Sequence, residues 1–148
     1  MIVCKFGGSS LANADQIKKI KQIIESNDER AYVVPSAPGK RSGDDIKITD
    51  LLIELYEAVN SAKDHTDIYN EIHQRFIDIR NDLGLSINIE SYLTKVKVDV
   101  LSGASYDYTI SRGEYLNALL IANYLGYDFI DAADVIFFDT EGNYKSEK

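Results

Sequence analysis

Val3-Cys4-Lys5-Phe6-Gly7-Gly8-Ser9-Ser10 sets the order of the first elements of the chain. The apolar run Met1 to Cys4 reads as a buried strand, since it is short and lacks helical spacing. One cation, two glycines and two hydroxyls follow it. Asn13 and Gln16 stand three apart, the spacing of an N-cap and a capping box that open a helix. The order is therefore strand, glycine turn, helix. Glycine permits φ > 0 and lets a ligand approach the backbone closely. Unpaired N–H groups at the start of a helix attract anions, phosphate above all, and Lys5 adds a full positive charge at the strand's end. The stretch is neither G-x-x-x-x-G-K-[ST] nor G-x-G-x-x-G. By itself it fits a phosphate-binding turn and a plain tight turn alike.

The first helix is expected from Asn13 to Ser26, with Ile17, Ile20, Ile23 and Ile24 on one face and Lys18, Lys19, Lys21 and Gln22 on the others. Ala31 to Val34 reads as a second buried strand. Strand, helix, strand implies a right-handed crossover and parallel pairing. The second strand also runs into an unusual loop, Pro35 to Asp45, which holds both prolines, two glycines and two small hydroxyls. A helix with Ile48, Leu51, Leu52, Leu55, Tyr56 and Val59 inward follows, with Thr49 at or near its start. Two readings of the loop stay open: a surface loop with Thr49 or Ser42 as a cap, or a second ligand loop at the carboxyl end of a parallel strand, where open α/β sheets bind their ligands.

Residues 64 to 101 read as helical. Ile68, Ile72, Phe76, Ile79 and Leu83 form an inward stripe ended by Gly84, and a further helix begins after Ser91, although Val96 to Val100 alternates as a strand would. Ser102 to Ser105 is a linker. Ser111-Arg112-Gly113-Glu114 opens the next apolar run, which Gly126 closes. Ser-x-x-Glu is the capping-box pattern, and that is the structural account of Glu114. A glycine in a first helical turn costs ~1 kcal/mol relative to alanine, so Gly113 fits better where a ligand approaches the backbone. Tyr127 to Asp131 reads as a third strand, Val135 to Phe138 as an apolar run, and the tail from Asp139 as polar. The fold class is α/β: an open, mainly parallel sheet covered by helices on both faces, a three-layer α/β/α sandwich.

The chain has 148 residues, 45% of them hydrophobic and 27% charged, sufficient for one domain with its own core. A net charge of −8 argues against nonspecific nucleic-acid binding, which needs a basic surface. The single cysteine, Cys4, allows no internal disulfide and reads as an inert buried thiol. No basic stretch leads into a long apolar run, so no signal peptide is expected, and no apolar run approaches the ~20 residues of a membrane span. A cytoplasmic location is the expectation. His65 and His73 have no third histidine or cysteine beside them, so no metal site is expected.

Three ordered stretches carry a resemblance. Lys5 to Ser10, then Val34-Pro35-Ser36-Ala37-Pro38-Gly39-Lys40 with Thr49-Asp50-Leu51-Leu52 behind it, then Ser111-Arg112-Gly113-Glu114, resemble the aspartokinases of the amino acid kinase family. Phe129-Ile130-Asp131-Ala132 also looks like the strand that follows the Ser-x-Gly-Glu helix there. The resemblance implies the α/β/α sandwich and ATP-dependent phosphorylation of the L-aspartate side-chain carboxylate to 4-phospho-L-aspartate, the first step towards lysine, methionine and threonine. It implies that Lys5, Phe6, Gly7, Gly8 and Ser9 meet the ATP phosphates, with Lys5 catalytic. Ser36 and Ala37 would line the reaction centre, and Thr49 and Glu114 would hold aspartate. Mg²⁺ would accompany ATP, bound mostly through phosphate oxygens.

Two departures stand out. Pro35 occupies a place where the family more often continues an aliphatic strand, and it removes one N–H beside the Ser36 loop. The family also continues into a nucleotide half and regulatory domains, so residues 1–148 are expected to be the amino-terminal, amino-acid-binding part of a kinase domain. An uncovered sheet side would then promote self-association. Other readings are a kinase acting on glutamate, acetylglutamate or carbamate, and a non-catalytic binding module.

Overall fold

Strands β1 (Val3–Phe6) and β2 (Tyr32–Pro35) pair in parallel in the computed structural model, which describes residues 1–145. The register sets Val3 beside Tyr32 and Phe6 beside Pro35. Pro35 is accommodated at the strand's end, and Ser36 continues the ladder by donating its N–H to the Phe6 carbonyl at 3.0 Å. Between the strands runs α1 (Ala14–Glu25), capped by Asn13, whose side-chain oxygen accepts from the Gln16 N–H at 3.0 Å. Ile17, Ile20 and Ile24 are buried and Ile23 is exposed, which narrows the expected stripe.

The expectation of strands buried on both faces is corrected. Phe6 and Val33 pack on the hydrophobic core, whereas Val3, Lys5, Tyr32 and Val34 alternate outward and are exposed. Of the three-layer sandwich, the described residues supply this strand pair and the helices on its Phe6–Val33 side. Cys4 is half-buried.

The helices are α2 (Ile48–Asn60), α3 (Thr66–Asp82), α4 (Ile89–Leu101) and α5 (Tyr106–Leu125). Leu51, Leu52, Leu55, Phe76, Leu93 and Leu120 form the centre of one core. Lys47, without a side-chain cap bond, occupies the N-cap position of α2, so neither Thr49 nor Ser42 caps it. Gly84, at φ +68°, follows α3 in the left-handed conformation that closes helices. Residues 96–100 are helical, with Val96 and Val100 inward and Val98 exposed.

Two further expectations are corrected. Helix α5 starts at Tyr106, its cap being Ser105, which accepts from the Tyr108 N–H at 3.1 Å; Ser111 and Glu114 thus lie inside the helix and form no capping box. Tyr127 to Asp131 is not a strand. It has no pairing partner among the described residues and leads into a short helix α6 (Ala132–Val135), capped by Asp131. The expected apolar run and polar tail instead supply an antiparallel hairpin of β3 (Phe137–Phe138) and β4 (Tyr144–Lys145). Among the described residues, no helix is long and apolar enough to cross a membrane.

Candidate active site

Two loops meet at the carboxyl ends of the parallel strands. After β1, Gly7 is extended (φ −80°, ψ 164°) and Gly8–Leu11 forms a 3-10 turn that leads into α1. After β2, residues 36–47 carry the chain over to α2. The loops touch backbone to backbone: the Gly39 N–H donates to the Gly8 carbonyl at 2.8 Å. A Cβ on Gly39 would lie 2.6 Å from the Gly8 carbonyl carbon, and one on Gly8 would lie 3.0 Å from the Ala37 carbonyl oxygen. Glycine serves here for loop contact, with no positive φ at Gly7, Gly8 or Gly39, while Gly7 has open space around it.

Helix α5 presses on the same loop from the other side. A Cβ on Gly113 would lie 2.8 Å from Ala37 Cβ and 3.1 Å from Ile48 Cγ2. Helix–loop packing, rather than ligand approach, therefore accounts for Gly113. One turn on, buried Asn117 donates through Nδ2 to the Ser36 carbonyl at 2.8 Å. Its Oδ1 is buried without a hydrogen bond among the described residues. Arg112, between Gly113 and Ser111, lies over the rings of Tyr108 and Tyr115 at 4.3 and 4.5 Å and donates to Ser111 Oγ. Burial, with a hydrogen bond donated to Asp99, pushes the Tyr108 hydroxyl up to about 12.

From α3, Arg75 reaches beneath the second loop. Its guanidinium donates to the Gly39 carbonyl at 2.6 Å and the Ile46 carbonyl at 2.8 Å, and lies 3.4 Å from the Asp45 carboxylate. Asp45 also accepts from the Arg41 N–H and side chain at 2.7 to 2.8 Å. Those Arg41 hydrogen bonds, joined by the charge of Arg75, hold the Asp45 carboxyl well below the usual carboxylate range. Desolvation lowers the Arg75 pKa from its ordinary value.

Between the loops and α5 lies an open cleft of about 510 Å³, lined by Gly8, Ser9, Ser36 to Lys40, Lys47, Thr49 and Glu114. Six of the residues expected at the site, Gly8, Ser9, Ser36, Ala37, Thr49 and Glu114, thus share one cavity. Lys5, Phe6 and Gly7 are not in its lining: Phe6 packs on the core, and Lys5 sits on the exposed face of β1. Sequence reasoning did not single out Lys47, which forms no salt bridge among the described residues, as is true of Lys40. A lysine one residue before an apolar helix looks like any solvated charge. Its place just behind an expected ligand loop was the available signal.

A cleft between two strand-end loops, with two lysines, several hydroxyls and one carboxylate on its walls, suits a polar, anionic ligand. The profile of the amino acid kinase family matches residues 1–147. The chain belongs to the amino acid kinase family. Within that family it is similar to aspartokinases: it is 36% identical to aspartokinase 3 of Bacillus subtilis over 138 residues, covering 89% of this chain and 30% of that protein. The solved aspartate kinase of Clostridium acetobutylicum matches with a TM-score of 0.94 and 49% identity over 97% of this chain and 33% of that one. Escherichia coli aspartokinase III, solved in complex with aspartate and ADP, matches with a TM-score of 0.68 and 26% identity over 85% and 29%. The chain spans about a third of the length of these relatives.

Proposed function

We propose that residues 1–148 form the amino-terminal, amino-acid-binding part of a kinase that transfers the γ-phosphoryl group of ATP to the side-chain carboxylate of L-aspartate, giving 4-phospho-L-aspartate. The observation that carries this reading is the shared cleft, which gathers Gly8, Ser9, Ser36, Ala37, Thr49 and Glu114 from four separate stretches of chain. The likeness to a kinase solved with aspartate and ADP supports the substrate class proposed.

Phosphoryl transfer between two anions depends on positioning and charge neutralisation more than on covalent chemistry. In this reading the glycine turn, with Gly7, Gly8 and Ser9, faces the ATP phosphates; Lys5 adds its charge from the exposed face of β1, and Phe6, whose side chain packs on the core, joins through its backbone alone. Lys5 has no salt-bridge partner among the described residues, which leaves its charge available. Lys40 and Lys47 add positive charge at the cleft rim. Ser36 and Ala37 face the reacting carboxylate. Thr49 offers its hydroxyl to aspartate, and Glu114 accepts from the substrate ammonium. Glu114 is exposed and its side chain makes no hydrogen bond or ion pair among the described residues, so its carboxylate is free to do so.

The cleft walls do not by themselves build a Mg²⁺ site. They hold one carboxylate, and no cluster of metal-binding side chains occurs among the described residues. Mg²⁺ bound mostly through phosphate oxygens accords with such walls. The wider reading includes a cytoplasmic enzyme of the lysine, methionine and threonine routes. It also includes self-association through the exposed side of β1 and β2, where Val3 is 61% and Tyr32 50% accessible. ADP release by the whole protein, measured with L-aspartate, glutamate, acetylglutamate and carbamate as acceptors, tests the assignment. L-Aspartate should be preferred by at least about a hundredfold in kcat/KM, since a site built to pair polar groups rejects poorly matched analogues strongly. Preference for another acceptor transfers the cleft to that substrate, and no turnover with any favours a binding module.

A further inference from the structure

We infer that Arg75 is a positioning residue for this reaction, setting the distance between the acceptor loop and the glycine turn by holding the Gly39 peptide from behind. The inference rests on the reading of the cleft as the phosphoryl-transfer site.

Arg75 is 2% exposed; Thr109 and Asn117 are the other buried polar residues among those described. It occupies the inward stripe of α3 between Ile72 and Ile79, where an apolar side chain would fill the same space. A guanidinium taken out of water is costly unless its donors and its charge are met. Among the described residues, the hydrogen-bond and ion-pair partners of the Arg75 side chain all belong to the loop after β2, with Glu71 and Asp78 of α3 adding attraction at longer range. The loop between β2 and α2 is irregular, so its carbonyls lack the partners that a helix or sheet would supply. Arg75 meets two of them, at Gly39 and Ile46, and Asp45 faces its charge at 3.4 Å. One planar group therefore fixes both ends of the excursion from Gly39 to Ile46. A lysine ammonium in its place would keep the charge but lack the fork that spans both carbonyls.

Gly39 is where this tether meets the chemistry. Its carbonyl goes to Arg75 and its N–H goes to the Gly8 carbonyl at 2.8 Å. Helix α3, the acceptor loop and the glycine turn are thus joined through one residue. Ala37 and Ser36 lie two and three residues before it, so a tilt of the Gly39 peptide moves the groups that face the acceptor. Transfer needs reacting atoms about 3–3.5 Å apart, and a misplacement of about 1 Å costs on the order of a hundredfold.

The test compares Arg75→Lys and Arg75→Met with the unaltered whole protein that carries residues 1–148, each assayed well below its own unfolding midpoint. In Arg75→Lys, hydrogen exchange at the amides of 39–47 that donate hydrogen bonds, Gly39, Arg41 and Asp45, should accelerate at least about tenfold, with exchange in α2 and α5 unchanged. Turnover at saturating substrates should fall by about a hundredfold, as expected for a displaced acceptor loop, and the aspartate KM should rise at least about tenfold while the ATP KM changes little. Arg75→Met should show the same pattern more strongly. A lowered unfolding midpoint with unchanged loop exchange and unchanged aspartate KM would mean that Arg75 only stabilises the fold, and would overturn the inference. Should the α3 variants fail to fold, Asp45→Asn reads the same tether from the loop side by removing the counter-charge. It too should speed exchange at 39–47 and raise the aspartate KM, and no change in either overturns the inference. If the unaltered protein shows no aspartate-dependent turnover, the functional reading fails, and exchange at 39–47 still supports or overturns the tether.

Discussion

Replacing Gly39 by alanine is the most demanding perturbation of the loop contact. The added Cβ would lie 2.6 Å from the Gly8 carbonyl carbon, 2.7 Å from its oxygen and 2.8 Å from the Ser9 nitrogen. All three are backbone atoms, so no side chain can turn aside. Relief to ordinary contact, about 3.4 Å or more, requires the loops to part by roughly 0.8 Å. The same movement stretches the 2.8 Å bond from the Gly39 N–H to the Gly8 carbonyl beyond hydrogen-bonding reach. Overpacking of this kind costs about 1–3 kcal/mol, and the lost hydrogen bond adds about 1 kcal/mol. Turnover should fall by about a hundredfold, because the two loops would hold the reacting groups of donor and acceptor. Denaturant unfolding with activity per folded molecule reads both effects. Gly7→Ala is the internal control: its Cβ meets nothing within 4 Å and its φ is −80°, so stability should be unchanged or slightly raised. A Gly39→Ala protein as stable as the control would show that the loops do not touch as described.

Glu114→Gln should leave stability within about 0.5 kcal/mol, because Glu114 is exposed and Ser105 is the cap of α5. Its aspartate KM should nevertheless rise about tenfold to a hundredfold, since a hydrogen bond to a charged group is worth about 1.5–3 kcal/mol; an unchanged KM removes Glu114 from substrate binding. The Asp45 carboxyl titrates lower in the fold than in the unfolded chain. The stability it contributes is therefore complete above the unfolded value, about 3.9, and is lost as the pH falls below it. Unfolding free energy followed from pH 6 to pH 2 should drop less steeply in Asp45→Asn than in the unaltered protein, and parallel curves would exclude Asp45 as an acid-sensitive group.

Much of this arrangement was legible in the residues because local rules agreed with one another. Asn13 before Ala14 and Gly84 after α3 mark helix ends as their chemistry requires. Elsewhere a local pattern was outvoted by a longer-range contact. Ser111-x-x-Glu114 has capping-box spacing, yet Ser105 begins the helix two turns earlier and carries it through those residues. Tyr127 to Asp131 has strand composition, but a strand exists only with a neighbour to share its hydrogen bonds, and none pairs with it among the described residues. Gly113 signalled close approach correctly, while the approaching atoms proved to be Ala37 and Ile48. Arg75 was not singled out beside the apolar stripe of α3, because nothing local says that its partners lie 29 and 36 residues away.

A carboxyl kinase acting on aspartate makes a product that can be trapped. An aspartyl phosphate is an acyl phosphate and reacts with hydroxylamine to give a hydroxamate, whereas simple ATP hydrolysis leaves nothing to trap. The whole protein, incubated with ATP, Mg²⁺, L-aspartate and hydroxylamine, should form one aspartyl hydroxamate for each ADP released, and Glu114→Gln should form far less at subsaturating aspartate. ADP released without hydroxamate, or hydroxamate formed as readily from glutamate, would exclude an aspartate carboxyl kinase.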